Sequence, residues 1–435
     1  MIEILSIILQ LFIFLIIFSY PINVFNYSRL NLKNEVNLYL VYSLNIIIHL
    51  NVYLFLSFIS INIKHFYYLE LILFLIFIFF YRTNYLNAFK EFTDTKFKYF
   101  LFFLLANLIF FITIANGARL EWDGLAHWIY KARIFFDGGN YFDFKDNVPF
   151  PYYPQLGTFI WGYFWKNTFL NFEYFGRLIF PLIYLFSIFS VACTYKTNKN
   201  YLIKILLTIF LILLTLNFYL FGGYQEYLLF FLFTILGIIT FEHLNYKNKI
   251  ASSFFIILIL NLIIWTKQEG FFYSIIFGLT LAIFSYNNIK FALFFLISTI
   301  ILATIHIHLK SFVIDATMFN EKILNEKIVN YLNVKILIKD LILIFKHIII
   351  ASIKYPVIIF VTFLLLVLVP SINTKRDYFF YCIFILNLFF IIAIYLQTNM
   401  NLEQVLPVTI DRVLFQSTGL YLVFIIYKLI KKFKL

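Results

Sequence analysis

Long apolar runs separated by short polar segments make up most of this chain. The runs 205–216 and 357–369 are apolar at every position except an occasional Thr. In a helix, about 20 such residues cross a hydrocarbon core of about 30 Å, whereas the strands of a barrel alternate apolar and polar residues. The pattern therefore predicts an all-α polytopic membrane protein.

Thirteen transmembrane helices are predicted from these runs. Lys and Arg concentrate in alternate loops and at the C-terminus, as they do on the cytoplasmic side of membrane proteins. Lys428, Lys431 and Lys432 accordingly predict a cytoplasmic C-terminus. Alternation then places five polar segments on the external face, namely 121–171, 222–226, 267–269, 310–340 and 397–412. The predicted spans are 4–20, 37–60, 66–81, 98–115, 173–193, 201–217, 226–243, 250–266, 270–285, 289–309, 355–369, 378–396 and 413–430.

Charge and cysteine content exclude several classes of protein. The chain is 63% hydrophobic and carries a net charge of +13. A basic chain can bind nucleic acid, but these charges lie in short loops between spans, so the predicted surroundings are membrane lipids and no nucleic acid. The two cysteines, Cys193 and Cys382, lie inside apolar runs and indicate neither a disulfide framework nor a thiolate metal site.

A polar island interrupts the apolar pattern after the fourth predicted span. Its first part, 121–133, reads Glu-Trp-Asp-Gly-Leu-Ala-His-Trp-Ile-Tyr-Lys-Ala-Arg. Apolar residues recur at helical spacing over 124–136, which predicts an amphipathic interfacial helix with Asp123 as its N-cap. The glycines at 138–139 end this helix, and 156–165 predicts a second interfacial or re-entrant helix. The predicted apolar face comprises Leu125, Trp128, Ile129, Ala132, Phe135 and Phe136.

Three ionisable residues of the island are spaced by four positions. In an α-helix Asp123, His127 and Lys131 share one face, which would place a carboxylate, an imidazole and an ammonium in a line at the membrane surface. A partly buried carboxylate can act there as a general base toward a hydroxyl. The plainer interpretation is that Asp123 only caps the helix while His127 and Lys131 face water, and on these residues alone it is the stronger one.

Further polar positions fall on the same predicted face. Glu226 begins a span directly after the glycine pair 222–223, which lets backbone or ligand approach closely. Lys267 and Glu269 belong to a charged hairpin between two spans. Arg412 lies at the start of the last span, where a guanidinium can hold a phosphate by two hydrogen bonds.

Each of these positions also has a plainer interpretation. Glu226 and Glu269 can be solvated span ends, and Arg412 can be paired with the neighbouring Asp411. Taken one at a time, the plain and the functional interpretations are about even. The convergence of all of them on one face favours a functional site.

Short motifs recur in a fixed order along the external segments. They are Trp122-Asp123-Gly124 followed by Trp128 and Lys131-Ala132, then Tyr153-Pro154-Gln155-Leu156, Gly223-Tyr224-Gln225-Glu226, Lys267-Gln268-Glu269-Gly270 and Asp411-Arg412. The ordered set resembles the bacterial GT-C glycosyltransferases, nearest to the family 39 type related to protein O-mannosyltransferases and lipid A aminoarabinose transferases. The resemblance covers about residues 98–430, and each motif alone is weak.

The resemblance implies an enzyme of the bacterial inner membrane with its active site on the periplasmic side. Such an enzyme moves a sugar from a polyprenyl-phosphate carrier to an acceptor hydroxyl on a glycan, lipid or protein. The implied catalytic domain is 98–435, with an external loop at 116–172 and a GT-C-like fold. Residues 1–97 would then be accessory transmembrane helices.

The resemblance makes Asp123 the catalytic base. The chain departs from the family pattern because its acidic pair is Glu121-x-Asp123, and because Glu226 stands where relatives often have Asp. We expect Glu226 to assist the base or orient substrate. The substrate-binding candidates are Glu121, His127, Lys131, Tyr153, Lys267, Glu269 and Arg412.

The predicted reaction makes few chemical demands on the protein. A lipid-phosphate sugar already carries a good leaving group, so a base for the acceptor proton and cations for the phosphate suffice. One carboxylate opposite the leaving group implies inversion at the anomeric carbon. No cofactor is required, no metal-ligand set is predicted, and assistance by a divalent metal is left open.

Two other classes of function share this architecture. A polymerase or ligase of lipid-linked glycans would depend more on external arginines and histidine than on carboxylates. A polytopic transporter or flippase would carry charged or Gly/Pro-broken positions near the middle of its spans. The charges of this chain cluster at predicted span ends, which favours an interfacial active site.

The predicted orientation can be tested by labelling single cysteines in intact cells. In a variant lacking Cys193 and Cys382, Asn140→Cys should react with a membrane-impermeant thiol reagent and Lys432→Cys should not, because the basic C-terminus stays in the cytoplasm. Both positions should react after permeabilisation. The reverse pattern in intact cells would overturn the orientation.

Overall fold

The chain folds into a bundle of helices. The computed structural model describes residues 2–23, 37–59, 62–90, 94–117, 119–194, 201–244, 250–313, 331, 333–398 and 401–433. Every regular element within these ranges is helical, and eight helices are long and apolar enough to cross a membrane. The prediction of a polytopic, all-α membrane protein is confirmed.

The helices follow the predicted spans closely in position. In chain order they are α1 (Ile2–Ile17), α2 (Leu38–Ser57), α3 (Ile63–Lys90), α4 (Asp94–Ala115), α5 (Ile129–Asp137), α6 (Phe144–Asn147), α7 (Leu156–Lys166), α8 (Tyr174–Arg177), α9 (Ile179–Thr194), α10 (Tyr201–Thr215), α11 (Glu226–His243), α12 (Ile250–Ile264), α13 (Gln268–Phe284), α14 (Ile289–Ser311), α15 (Val334–Lys354), α16 (Pro356–Leu368), α17 (Lys375–Gln397) and α18 (Leu402–Phe433). A π turn, Gly124–Trp128, precedes α5 directly.

The number of spans differs from the prediction of thirteen. Four of the predicted spans form helices of only 15 to 17 residues, α1, α10, α12 and α13. At 1.5 Å per residue such helices are roughly 22–26 Å long, which is less than the hydrocarbon core. By length and composition, the described residues thus support eight spans, or nine if one bent pair is counted as a span.

The bent pair of helices shows that one predicted loop boundary is wrong. The segment 310–340 was predicted to be an external loop, but α15 already begins at Val334 and meets α16 at an angle of 108°. Pro356 stands at the first position of α16, where its ring fixes the backbone and ends the preceding helix. The bend therefore has a covalent cause, and only residues 314–330 and 332 of this loop lie outside the described residues.

Helix α11 forms the centre of the bundle. Every residue of its spanning window is buried, and its main neighbours are α18, α9 and α12. The outer helices instead expose large apolar side chains, among them Phe80 at 74%, Leu213 at 70% and Ile283 at 69%. Such continuous apolar exposure suits the hydrocarbon of a bilayer, which is as apolar as these side chains.

Charged side chains near the C-terminal end of α18 form a cluster of their own. Lys428 donates to the Ser371 carbonyl at 2.8 Å and contacts Asp377 Oδ2 at 2.8 Å. Arg412 lies 16 residues earlier in the same helix, roughly 24 Å away along its axis. Arg412 is the eleventh residue of α18, which begins at Leu402, so the predictions of an external segment through 412 and of Arg412 at the start of the last span are wrong. The basic loops around Arg29, Lys196 and Lys247 lie outside the described residues.

An ionic group around Glu70 lies within the spans α2 and α3, in contrast to the predicted clustering of charges at span ends. Glu70 of α3 is 1% exposed and accepts hydrogen bonds from Tyr53 at 2.9 Å and from Tyr163 of α7. His49 of α2 contacts Glu70 Oε1 through Nδ1 at 2.9 Å and the Tyr20 carbonyl through Nε2 at 3.0 Å. Glu70 therefore joins α2 and α3 to the external-loop helix α7.

The helix predicted at 156–165 is confirmed as α7. Residues 156–164 are all buried, packed against α2 and α5. Close approach explains the glycine at position 162, because a Cβ there would lie 2.4 Å from the Ala132 carbonyl oxygen of α5. This helix of the external loop is thus held inside the bundle.

Replacing the Glu70 carboxylate should destabilise the bundle. Glu70→Gln leaves His49 and two tyrosines with a weaker acceptor, and loss of a buried charged partner costs about 1–3 kcal/mol. We expect a lower melting temperature in detergent than for wild type. Glu403→Gln, at an exposed position of α18, is the matched control and should melt like wild type. Equal melting of the two variants would contradict a structural role for Glu70.

Candidate functional site

Four charged side chains from four parts of the chain meet at one point. Arg412 of α18 donates from Nε to Glu226 Oε1 at 2.7 Å, and its Nη2 lies 2.6 Å from the same oxygen. Lys267 Nζ donates to Glu226 Oε1 at 2.7 Å. Arg412 Nη2 also pairs with Asp123 Oδ2. The structure thus brings together both predicted catalytic carboxylates and both predicted phosphate ligands.

These charges are largely removed from solvent. The Glu226 side chain is 0% exposed, and those of Lys267 and Arg412 are 7% and 10% exposed. Two carboxylates and two cations balance, and balance is required because an unpaired buried charge costs several kcal/mol. Glu226 Oε2 is buried and has no hydrogen-bond partner among the described residues. One carboxylate oxygen of this cluster therefore remains free to accept a donor.

Helix ends position two of the four groups. Glu226 is the first residue of α11, where the positive end of the helix dipole favours a carboxylate. Lys267 is the extended residue just before α13, where the same dipole disfavours a cation. The Glu226 contact offsets that penalty. Both residues come from the breaks between spans that the sequence marked by their polarity.

Glycines let the external loop approach α11. Glu121 N donates to the Gly222 carbonyl at 3.0 Å, and a Cβ on Gly124 would lie 2.6 Å from that same oxygen. Gly223 has φ of +81°, a backbone conformation that favours glycine. The predicted close approach at this pair is confirmed, and the approaching group is the backbone next to Asp123.

Asp123 does not cap the helix as predicted. Its backbone is already helical and its side chain makes no capping hydrogen bond. The carboxylate instead turns to Arg412, an interaction that local sequence cannot indicate because 289 residues separate the two. Asp123 is partly exposed, at 14% for the side chain.

The π turn changes which residues face the bundle. In this turn Ile129 N bonds to the Gly124 carbonyl, so the period of 3.6 does not hold across it. Trp128, Ala132 and Phe135 are buried as predicted, but Leu125 is 54% exposed. The predicted amphipathic face is therefore correct from Trp128 onward and wrong at Leu125.

Lys131 is buried and not directed to water. It is 0% exposed and donates to the carbonyls of Phe150 at 2.7 Å and Tyr153 at 3.2 Å. Burial, reinforced by the charge of Lys310, holds the pKa of its ammonium well below the ordinary value. The ammonium thus fixes the turn 150–153 onto α5, away from the Arg412 cluster.

His127 occupies an aromatic cage beside Asp123. Its ring lies 4.9 Å from that of Trp122 and 4.6 Å from that of Phe150, and it stacks on Tyr153 at 6.1 Å. Burial lowers its pKa, against an opposing effect of Asp123. Nδ1 is buried without a hydrogen-bond partner in the described part of the chain.

The remaining candidates surround the cluster without joining it. Glu121 is exposed, and its side chain lies next to Gly222. Glu269 is half-buried in the first turn of α13. Burial, and after it the charge of Glu269, raises the pKa of Tyr153. Glu121 and Glu269 therefore add negative potential at the edge of the site.

Several residues next to Arg412 were not predicted. The Tyr224 ring centroid lies 4.4 Å from the guanidinium carbon, and burial together with the nearby carboxylates raises the Tyr224 pKa to about 12. Tyr219 donates to Asp411 Oδ2 at 3.0 Å. Tyr224 belongs to the motif around Glu226 and was therefore open to prediction. Tyr219 carries no sequence signal.

Asp411 does not neutralise Arg412, contrary to the plainer interpretation. Its Oδ1 accepts only the backbone N–H of Arg412, at 2.9 Å, and Oδ2 lies 3.8 Å from Lys354 Nζ. Lys354 ends α15 at the bend before α16, and its side chain is 61% exposed. The bend thus brings a solvent-accessible cation near the buried cluster.

The described residues gather no set of three His, Cys, Asp and Glu side chains of the kind that holds a metal ion. The chain matches no family model, no curated protein and no solved structure. What the structure offers for chemistry is the charge cluster, in which two carboxylates and two cations meet.

A double-mutant cycle should reveal the coupling between Glu226 and Lys267. Glu226→Gln leaves two buried cations short of a counter-charge, and breaking such a pair costs about 3–5 kcal/mol. Combined with Lys267→Met, the loss should be smaller than the sum of the single losses, with a coupling of about 0.5–3 kcal/mol. The free energy of unfolding in detergent is measured for wild type, the two single variants and the double variant.

Glu269→Gln serves as the matched control for this cycle, because it removes a half-buried carboxylate two residues from Lys267. It should unfold at nearly the wild-type temperature. Additive effects of the Glu226 and Lys267 substitutions would contradict the pairing.

Proposed function

We propose that this chain is an inverting membrane glycosyltransferase that moves a sugar from a polyprenyl-phosphate carrier to an acceptor hydroxyl on the periplasmic side. One observation carries the proposal: Asp123 and Glu226 share a cluster with Arg412 and Lys267, where the external loop meets the first turn of α11, the residue before α13, and α18. A base beside phosphate-binding cations is what transfer from a lipid phosphate requires.

The reaction is a single displacement. The acceptor oxygen forms a bond to the anomeric carbon while the bond from that carbon to the phosphate oxygen breaks. The acceptor proton passes to the Asp123 carboxylate. The bonding electron pair leaves with the polyprenyl phosphate, whose added negative charge Arg412 and Lys267 receive. Attack opposite the leaving group inverts the anomeric carbon.

Glu226 acts on the two cations in this proposal and not on the sugar. Its Oε1 accepts from Arg412 Nε and Lys267 Nζ, both at 2.7 Å. These contacts fix where two long, flexible side chains present their remaining N–H groups. Preorganised donors of this kind stabilise charge that develops in the transition state without reorganising during the reaction.

A route for the lipid tail is supported by the bend between α15 and α16. Tyr355 in this bend lies 3.3 Å from the Tyr219 hydroxyl, so the bend reaches the cluster. Exposed apolar side chains, including Ile349 at 60% and Ile353 at 70%, continue along α15. A polyprenyl chain could follow this apolar face while its phosphate reaches the buried cations.

The transporter alternative draws its support from Glu70 and His49, an ionisable pair inside two spans. Both Glu70 oxygens accept hydrogen bonds from tyrosines of α2 and α7. A carboxylate satisfied in this way is suited to holding helices together. Glycosyl transfer is therefore the better-supported function.

Loss of the Asp123 base should abolish most of the transfer. Asp123→Asn keeps the size of the side chain but cannot take the acceptor proton, so turnover should fall by roughly 10²–10⁴-fold. The assay is release of polyprenyl phosphate by purified protein from labelled polyprenyl-phosphate hexoses and pentoses mixed with a membrane extract. Wild-type protein should release it only when an acceptor is present.

Asp137→Asn is the matched control, because Asp137 is an exposed carboxylate at the end of the same loop helix, 3.8 Å from Arg133. It should retain wild-type turnover. Near-wild-type transfer by Asp123→Asn would contradict the assigned base. Movement of intact donor across a liposome bilayer, with no release of phosphate, would instead support a flippase.

A further inference from the structure

Arg412 offers two hydrogen-bonding edges, and carboxylates contact both. One edge of a guanidinium consists of Nε and one terminal nitrogen, and the other consists of the two terminal nitrogens. Glu226 Oε1 lies on the first edge, 2.7 Å from Nε and 2.6 Å from Nη2. The second hydrogen of Nη2 belongs to the other edge. Asp123 Oδ2, which also contacts Nη2, therefore lies on that second edge.

The second edge is the one that a lipid phosphate needs. Two parallel N–H donors bind a phosphate far better than one, and the first edge is filled by the fully buried Glu226. While Asp123 contacts Nη2, the guanidinium cannot hold a phosphate by both terminal nitrogens. The same contact engages Asp123 Oδ2, so this oxygen is not available to take the proton of an acceptor hydroxyl while the pair is intact.

We propose that the lipid phosphate binds by exchanging with Asp123 on Arg412, so that donor binding itself releases the catalytic base. This inference rests on the proposed function and adds an order to it. The protein without donor keeps Asp123 paired, and the donor must bind before an acceptor can be deprotonated. The exchange confines base activity to the complex that already holds the sugar.

The two carboxylates differ in how firmly they are held. Glu226 is 0% exposed and accepts from Lys267 as well as from Arg412. Asp123 is 14% exposed, and Arg412 is its only ion-pair partner among the described residues. Its neighbour Trp122 is 66% exposed, so this part of the loop borders solvent. An incoming anion should therefore displace Asp123 and leave Glu226 in place.

Charge is conserved in the exchange. A polyprenyl-phosphate sugar is a phosphodiester with one negative charge, so it replaces one carboxylate by one phosphate against the same two cations. Asp123 moves toward the solvent-exposed side of the loop, where its charge is hydrated. After transfer Asp123 holds the acceptor proton and the product phosphate holds one more negative charge. The transfer step itself therefore leaves the total charge of the complex unchanged.

The inference predicts a gain of binding from loss of the base. Asp123→Asn and Asp123→Ala remove the competing anion, so both should bind polyprenyl phosphate in detergent micelles more tightly than wild type. The expected gain is about 10-fold to 100-fold, as for one charge-assisted hydrogen bond, and Ala should gain at least as much as Asn. Equilibrium binding to labelled protein measures the affinities, with inorganic phosphate as a second ligand without a lipid tail.

Two variants distinguish displacement of Asp123 from a general change in the electrostatic potential at Arg412. Asp137→Asn removes an exposed carboxylate of the same loop that pairs with Arg133 and does not contact Arg412, and it should bind like wild type. Adding Arg412→Lys to Asp123→Asn should abolish the gain, because an ammonium has no second edge. A gain for Asp137→Asn equal to that for Asp123→Asn would overturn the exchange.

Failure of the exchange and failure of the proposed function give different results. If wild type binds polyprenyl phosphate and transfers sugar but the Asp123 variants bind no more tightly, the exchange is wrong and the transferase remains. If wild type neither binds polyprenyl phosphate nor releases it from a sugar donor, the proposed function itself is wrong. Binding of inorganic phosphate as tight as that of the lipid would exclude recognition of the lipid tail.

Discussion

The ion pair between Arg412 and Glu226 is the interaction on which the rest of the site depends. Glu226 is fully buried at the start of α11, the central helix, and its charge is tolerable only because Arg412 and Lys267 compensate it. Three helices are thereby joined at one point. Asp123 adds the external loop to the same group through Arg412. Any function of these residues is therefore a function of the cluster and not of one side chain.

A second buried carboxylate connects the first helices of the chain to this arrangement. Glu70 holds α2 and α3 to α7 through His49 and Tyr163, and α7 in turn packs on α5 directly after the π turn. Ser57 at the end of α2 also accepts a hydrogen bond from Gln155, at 3.2 Å. Helices α2 and α3, which belong to the segment 1–97 predicted as an accessory unit, thus contact α7 in the loop that carries Asp123.

Prediction from sequence succeeded where the cause is local. Apolar runs predict where the helices lie, because a long run of apolar residues is stable as a helix in the hydrocarbon core of a membrane. Gly138, with φ of +98°, ends α5 as predicted, because a left-handed residue there favours glycine. The prediction failed at the π turn 124–128, because a single wider turn leaves no periodic signal. The prediction failed also at Lys131. Nothing nearby in sequence shows that the carbonyls of Phe150 and Tyr153 accept hydrogen bonds from its side chain.

The sequence by itself determined the class of protein, the placement of its helices and the choice of Asp123, Glu226, Lys267 and Arg412 as candidates, because polar residues that interrupt apolar runs stand out without any knowledge of contacts. Only the tertiary structure decided which of them meet. Asp123 and Arg412 are 289 positions apart, and their pairing depends on the packing of α18 against α11 and on the close backbone approach at Gly222. Which edge of the guanidinium each carboxylate contacts depends on the three-dimensional positions of individual atoms. A linear pattern of residues contains no such information.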